Sequence, residues 1–112
     1  IIDDNKRQLD GYTKDVMNPF SIEDKMKAFG FNTQTVKGND LDAIDEAITN
    51  AKSVTDSAVC IVLDTIKGQG VKFFEDLLDN HSVKFNTEIV NRAADEAKAS
   101  LKREIEEEVQ HV

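Results

Sequence analysis

The chain has 112 residues, 39% of them hydrophobic, and 14 basic against 22 acidic side chains leave a net charge of −8. That length holds one small domain with a modest core, and the apolar content excludes disorder throughout. The negative balance argues against nucleic acid or an anionic membrane as the main partner, and no apolar run approaches the roughly 20 residues of a membrane span. The single cysteine, Cys60, sits between Val59 and Ile61. It makes no internal disulfide and reads as a buried thiol in a reducing compartment, so a cytoplasmic location is expected.

Ile1-Ile2 reads as the end of a buried strand that opens into a polar loop, Asp3 to Gly11. Tyr12 to Phe20 has no clean period and carries the turn signal Asn18-Pro19. Ser21 is an N-cap with Glu23 and Asp24 in the first turn, Ile22, Met26 and Phe29 share a helical face, and Gly30 ends the helix. Phe31 to Val36 is β-prone and closes at Gly38.

Asn39 or Asp40 caps the next helix, whose stripe is Leu41, Ile44, Ala47, Ile48 and Ala51. Lys52 to Ser57 is a loop. Ala58 to Leu63 is apolar without alternation, as a strand in the middle of a sheet covered on both faces must be. A glycine-bearing loop, Thr65 to Gly70, follows, and Val71 to Leu78 fits a short helix or a packed turn. The last helix is expected from Asn86 towards Glu108, with the stripe Val90, Ala94, Ala97, Leu101, Ile105 and Val109. Glu106-Glu107-Glu108 opposes the helix dipole, so fraying is expected there. His111 reads as a solvated tail residue.

Strands and helices alternate, which predicts an α/β fold with parallel strands, right-handed crossovers and helices on both faces. There is no internal repeat and no convincing boundary. The expectation is one partial domain over residues 1–112, closed by a helical segment over 86–112.

Ligands of open α/β sheets bind at the carboxyl ends of the strands. Asn5 offers an amide oxygen there, of the kind Mg²⁺ takes beside phosphate. Lys67-Gly68-Gln69-Gly70 offers a point charge and close backbone approach. His81 follows. On residue type alone, each also reads as an ordinary feature: a solvated turn, a plain glycine turn and a surface histidine. The cysteine lies in a strand, and two histidines do not make a zinc site, so no thiol or zinc chemistry competes.

Taken in order, Asp3-Asp4-Asn5-Lys6 with Leu9-Asp10-Gly11, Lys27-Ala28-Phe29-Gly30-Phe31, Val36-Lys37-Gly38-Asn39-Asp40 and Thr65-Ile66-Lys67-Gly68-Gln69-Gly70 resemble segments of transketolases. The resemblance covers nearly everything up to Asn86. It departs from the family pattern at Asp64, where the family has Lys, and around His81, whose neighbours are Asn80 and Ser82 rather than Trp and Gly. It implies a partial thiamine-diphosphate-binding fold, a three-layer α/β/α arrangement. It also implies two-carbon ketol transfer between sugar phosphates, a step of carbohydrate metabolism such as the pentose phosphate pathway. Thiamine diphosphate and Mg²⁺ are the implied cofactors. Asn5 and the backbone carbonyl of Arg7 are the implied metal ligands, and Lys67 and His81 lie near the diphosphate.

The family's motif opens with Gly-Asp-Gly about thirty residues before the asparagine. That half is missing, so the resemblance implies a chain that starts inside a domain, with neither catalytic residues nor tight cofactor binding of its own. The implied partners are the missing upstream half and a pyrimidine-binding domain or subunit, in a homo- or hetero-oligomer. The rival expectations are a non-catalytic remnant or interaction module, and another thiamine-diphosphate enzyme such as a deoxyxylulose-phosphate synthase. Lys-Gly-x-Gly and the downstream histidine favour transketolase.

Overall fold

A computed structural model describes residues 1–110, so His111 lies outside the described residues. In chain order the elements are β1 (Ile2–Asp4), β2 (Arg7–Gln8), β3 (Gly11–Tyr12), α1 (Thr13–Val16), α2 (Ile22–Ala28), β4 (Asn32–Lys37), α3 (Leu41–Ser53), β5 (Val59–Asp64), α4 (Lys72–Asp76) and α5 (Glu88–Gln110). Strands β1, β5 and β4 form a parallel sheet in that order, and β2 and β3 form a separate antiparallel hairpin. Among the described residues, no helix is long and apolar enough to cross a membrane.

The apolar run is the central strand, as its lack of alternation requires. Consecutive residues Cys60, Ile61 and Val62 are all buried, which is possible only when both sheet faces are covered. Neighbouring residues of β4 show what covers them. Gln34 Nε2 donates to the Ala47 carbonyl of α3 at 2.8 Å, while Thr35 Oγ1 donates to the Glu23 carboxylate of α2. Successive strand side chains point to opposite faces, so α2 and α3 lie on opposite sides of the sheet. The result is the expected three-layer α/β/α arrangement. Ala47 is the buried residue of α3, and burying each of Ile61 and Val62 contributes about 1.5–3 kcal/mol.

The caps follow the sequence. Ser21 Oγ accepts from Asp24 N–H, and Asp40, not Asn39, accepts from Ala43 N–H, both at 3.0 Å. Gly30 turns the chain with φ +87°, and bonds from Gly30 N–H to Lys27 and from Phe31 N–H to Met26 close the helix end.

Several expectations need correction. The opening loop contains the β2–β3 hairpin, with Leu9-Asp10 as its tip. The stretch after it, which shows no clean period in sequence, contains the short helix α1. Phe29 is the residue that caps α2 and is 76% exposed, because the chain turns there and carries Phe31 inward instead. Leu41, at the first position of α3, is also exposed, and α3 continues through Ser53 into the expected loop.

The last helix starts at Glu88 rather than Asn86, where Thr87 Oγ1 accepts from Val90 N–H. Its helical backbone spans Glu106 to Glu108 and continues through Gln110. A dipole penalty of tenths of a kcal/mol in water does not outweigh the backbone ladder, and Lys102 lies 3.8 Å from Glu106. The second half of its stripe, Leu101, Ile105 and Val109, is exposed.

Candidate functional site

Strand register aligns the carboxyl ends. Asp4 pairs with Asp64, and Asp64 with Lys37, so all three strands of the sheet end at one level. Beyond that level stand Asn5, Thr65 and Gly38. Thr65 N–H donates to the Asp4 carbonyl at 3.3 Å and Gly38 N–H to the Asp64 carbonyl at 2.9 Å, which continues the ladder into the loops. A Cβ at Gly38 would fall 2.1 Å from Thr65 Cγ2, so glycine is needed where these two loops meet.

Three carboxylates sit here, and each has a donor. Thr65 Oγ1 and Asn5 Nδ2 donate to Asp3, the latter at 3.2 Å. Lys6 bridges Asp4 and Asp64, at 2.8 Å from the latter. Burial works against the Lys6 charge, but the bonds and charge of the two carboxylates outweigh it and raise the ammonium above the usual lysine range. Lys6 has a left-handed backbone, φ +65°, which turns the chain off the sheet.

Asn5 Oδ1 accepts from Arg7 N–H at 3.0 Å. Thr13 N–H donates to the Lys6 carbonyl at 3.0 Å, and Arg7 pairs with Tyr12. In an antiparallel pair this makes Arg7 and Tyr12 a non-bonded couple, so the N–H and C=O of Arg7 both point away from Tyr12. The Arg7 carbonyl therefore lies on the side where its N–H meets Asn5. Two neutral oxygens, Asn5 Oδ1 and Arg7 C=O, share one side of this turn.

The second loop is held by its own bonds. Gln69 Oε1 accepts from Ile66 N–H at 3.1 Å, and Glu75 Oε1 accepts from Gly70 N–H at 2.9 Å. Gly68 has φ +82°, and an added Cβ would meet the Phe74 backbone at 3.0 Å. This presses the loop onto α4. Lys67 Nζ lies 3.1 Å from His81 Nδ1. An ammonium only donates, so Nδ1 accepts and the proton of the neutral imidazole sits on Nε2. Asn80 Nδ2 donates to the Lys67 carbonyl at 3.0 Å and to the Phe74 carbonyl at 2.8 Å. Arg7 Nη1 donates to the Leu77 and Leu78 carbonyls, and Nη2 to that of Glu75.

Asn5 and Arg7 thus share one loop, Lys67 and His81 share one contact, and the Arg7 side chain links the two. Among the described residues, no three of His, Cys, Asp and Glu converge as a metal cluster. The Asn5 turn offers neutral oxygen, the nearby carboxylates of Asp3, Asp4 and Asp64 are engaged by donors, and the Lys67–His81 contact offers an ammonium and an imidazole. That set fits a cation carried by an anionic ligand, since further free carboxylates would repel such a ligand.

Sequence reasoning missed the Arg7 side chain and the Asp3–Thr65 bond. The partners of the latter are 62 residues apart, and no local pattern signals them.

The family described as "Transketolase, thiamine diphosphate binding domain" matches residues 1–110. The chain belongs to the transketolase family. It is 40% identical over 95 residues to a 6-deoxy-6-sulfo-D-fructose transketolase subunit of Clostridium sp. (strain MSTE9), covering 84% of this chain and 34% of that protein. It is 32% identical over 75 residues to an apulose-4-phosphate transketolase subunit of Actinobacillus succinogenes, covering 67% and 27%. It is 40% identical over 72 residues to a transketolase of Nostoc sp., covering 62% and 11%. The chain therefore spans about a third or less of these transketolase relatives. The α/β architecture expected of the family's diphosphate-binding domain is the one observed.

Proposed function

We propose that this chain is the carboxyl-terminal part of a transketolase diphosphate-binding domain, one partial domain whose last described element is helix α5. The whole protein would transfer a two-carbon ketol unit between sugar phosphates. Bound thiamine diphosphate supplies the carbanion chemistry, and the protein binds and orients it.

In this reading Asn5 Oδ1 and the Arg7 carbonyl offer two oxygens to Mg²⁺. Lys67 and the Nε2–H of His81 donate to the diphosphate oxygens as charge-assisted bonds. Lys6, Thr65 and the Asn5 amide keep the carboxylates of Asp3, Asp4 and Asp64 engaged, which lowers their repulsion of the anion. The observation that supports the reading is Arg7, whose backbone N–H bonds Asn5 and whose guanidinium bonds the Glu75, Leu77 and Leu78 carbonyls shortly before His81.

Two ligand oxygens fall short of the six that Mg²⁺ takes. The remainder, and the group that activates the aminopyrimidine, come from elsewhere in the protein: the upstream half of the domain and a pyrimidine-binding domain or second subunit. The two relatives named as subunits favour such an assembly. A reducing cytoplasm suits the unpaired Cys60.

The test is calorimetry with Mg²⁺ and thiamine diphosphate on the protein encoded by the whole reading frame. Binding should weaken about tenfold or more in Asn5→Ala and in Lys67→Met. Equal affinity in both variants would overturn the site assignment. A reading frame without Gly-Asp-Gly at the family's distance ahead of Asn5 would overturn the assignment to a diphosphate-binding domain.

A further inference from the structure

The Arg7 guanidinium leaves the β2–β3 hairpin and ends on the carbonyls that close α4. Nη2 donates to Glu75 O at 3.0 Å and to Tyr12 Oη at 3.1 Å. Nη1 donates to Leu77 O and, at 3.2 Å, to Leu78 O. The Tyr12 ring lies 4.6 Å from the guanidinium carbon and holds its plane by a cation–π contact.

The carbonyls at the end of a helix lack intrahelical partners. Helix α4 has five residues, too few to stand without tertiary support. A guanidinium has five N–H donors in a rigid fork and reaches the Glu75 and Leu77 carbonyls at the helix end and the Leu78 carbonyl just beyond it, which a lysine ammonium does poorly on this geometry. Past Asp79, the chain after Leu78 reaches Asn80, which is bonded to Lys67, and His81, which touches Lys67. At the other end the Arg7 backbone is bonded to Asn5.

We infer that Arg7 is a positioning residue whose side chain sets the His81 segment, and with it the Lys67–His81 pair, against the Asn5 turn. The backbone of Arg7 and its side chain would then serve the same ligand from two directions, and the relative placement of metal-side and phosphate-side donors would depend on one fork. The functional meaning of that placement rests on the transketolase reading above, but the linkage itself can be tested without ligand.

The experiment uses the 112-residue chain with labelled histidine, comparing wild type, Arg7→Met, Arg7→Lys and Tyr12→Phe. Two readouts are taken at one pH: the ring nitrogen resonances of His81, and amide exchange through Leu77–Ser82. In Arg7→Met the His81 Nδ1 resonance should move to that of an unbonded ring. Amides of Leu77–Ser82 should exchange about tenfold faster, while those of Cys60, Ile61 and Val62 stay protected. Tyr12→Phe should match wild type at His81.

An unmoved His81 resonance with unchanged exchange in Arg7→Met would overturn the inference. If Arg7→Met also loses protection in β5, Arg7→Lys decides: a shifted His81 with β5 intact supports the linkage, and an unshifted one overturns it. Failure of the cofactor reading would appear in the calorimetry of the whole protein, and failure of the linkage here.

Discussion

Lys67 Nζ and His81 Nδ1 lie 3.1 Å apart across a 14-residue separation, and the Asn80 side chain spans the base of that contact. Asn80 gives its Nδ2 to the Lys67 and Phe74 carbonyls. Asn80→Ala should cost about 1–3 kcal/mol by leaving part-buried carbonyls unsatisfied. Urea unfolding measures the loss. In the same variant the His81 ring signals should lose the signature of a bonded Nδ1.

The two glycines of the second loop should differ in what they tolerate. Both have positive φ, +82° at Gly68 and +96° at Gly70, so alanine is strained at either. A Cβ at Gly70 meets nothing within 4 Å, whereas at Gly68 it meets the Phe74 backbone at 3.0 Å. Gly70→Ala should therefore cost about 1 kcal/mol of backbone strain, and Gly68→Ala about 1–3 kcal/mol more, from overpacking against α4. Thermal unfolding of the two variants side by side checks the order, and equal losses would contradict the close approach.

Asn5→Asp tests why an amide is needed. The Oδ1 acceptor for Arg7 N–H survives, but the donor to Asp3 becomes a second carboxylate facing it. The repulsion at an exposed site should cost about 1 kcal/mol at neutral pH. Raising salt should recover part of it in urea melts. In the whole protein the added negative charge beside a diphosphate should weaken thiamine diphosphate binding in calorimetry, more than it weakens the fold.

Glu23 makes the stability of the α2 face pH-dependent. Its bond with Lys27, at 2.5 Å, and then its bond with Thr35 pull its carboxyl below the ordinary 4.5. A folded value below the unfolded one means that stability is present above pH 4.5 and is lost as the pH falls through the lowered value. Glu23→Gln should therefore melt below wild type above pH 4.5 and close on it as the pH falls through the lowered value. A gap that stays constant across that range would show that the carboxylate charge contributes nothing.

Some of this was legible in the residues and some was not. The capping atoms of Ser21 and Asp40 act on the chain within three residues, so their roles are local and readable. The hairpin at Leu9-Asp10 was missed because its strands are two residues each and show no alternation to detect. Phe29 and Leu41 fit an apolar stripe but sit at helix ends, where the chain leaves the face that the period describes. The Asn5 and Lys67 loops were visible as polar stretches after strands. What each one touches was not.

By itself the sequence determined the layer order and the central strand, because burial on both faces permits only an unbroken apolar run such as Val59 to Leu63. It also carried the family assignment, through short segments in a set order. Tertiary structure alone decided that one guanidinium closes α4 beside the Asn5 turn, and that Asp3 and Thr65 share a proton donor and acceptor across the sheet end. Those bonds depend on strand register and loop direction, which arise only when distant segments pack and which no local period encodes.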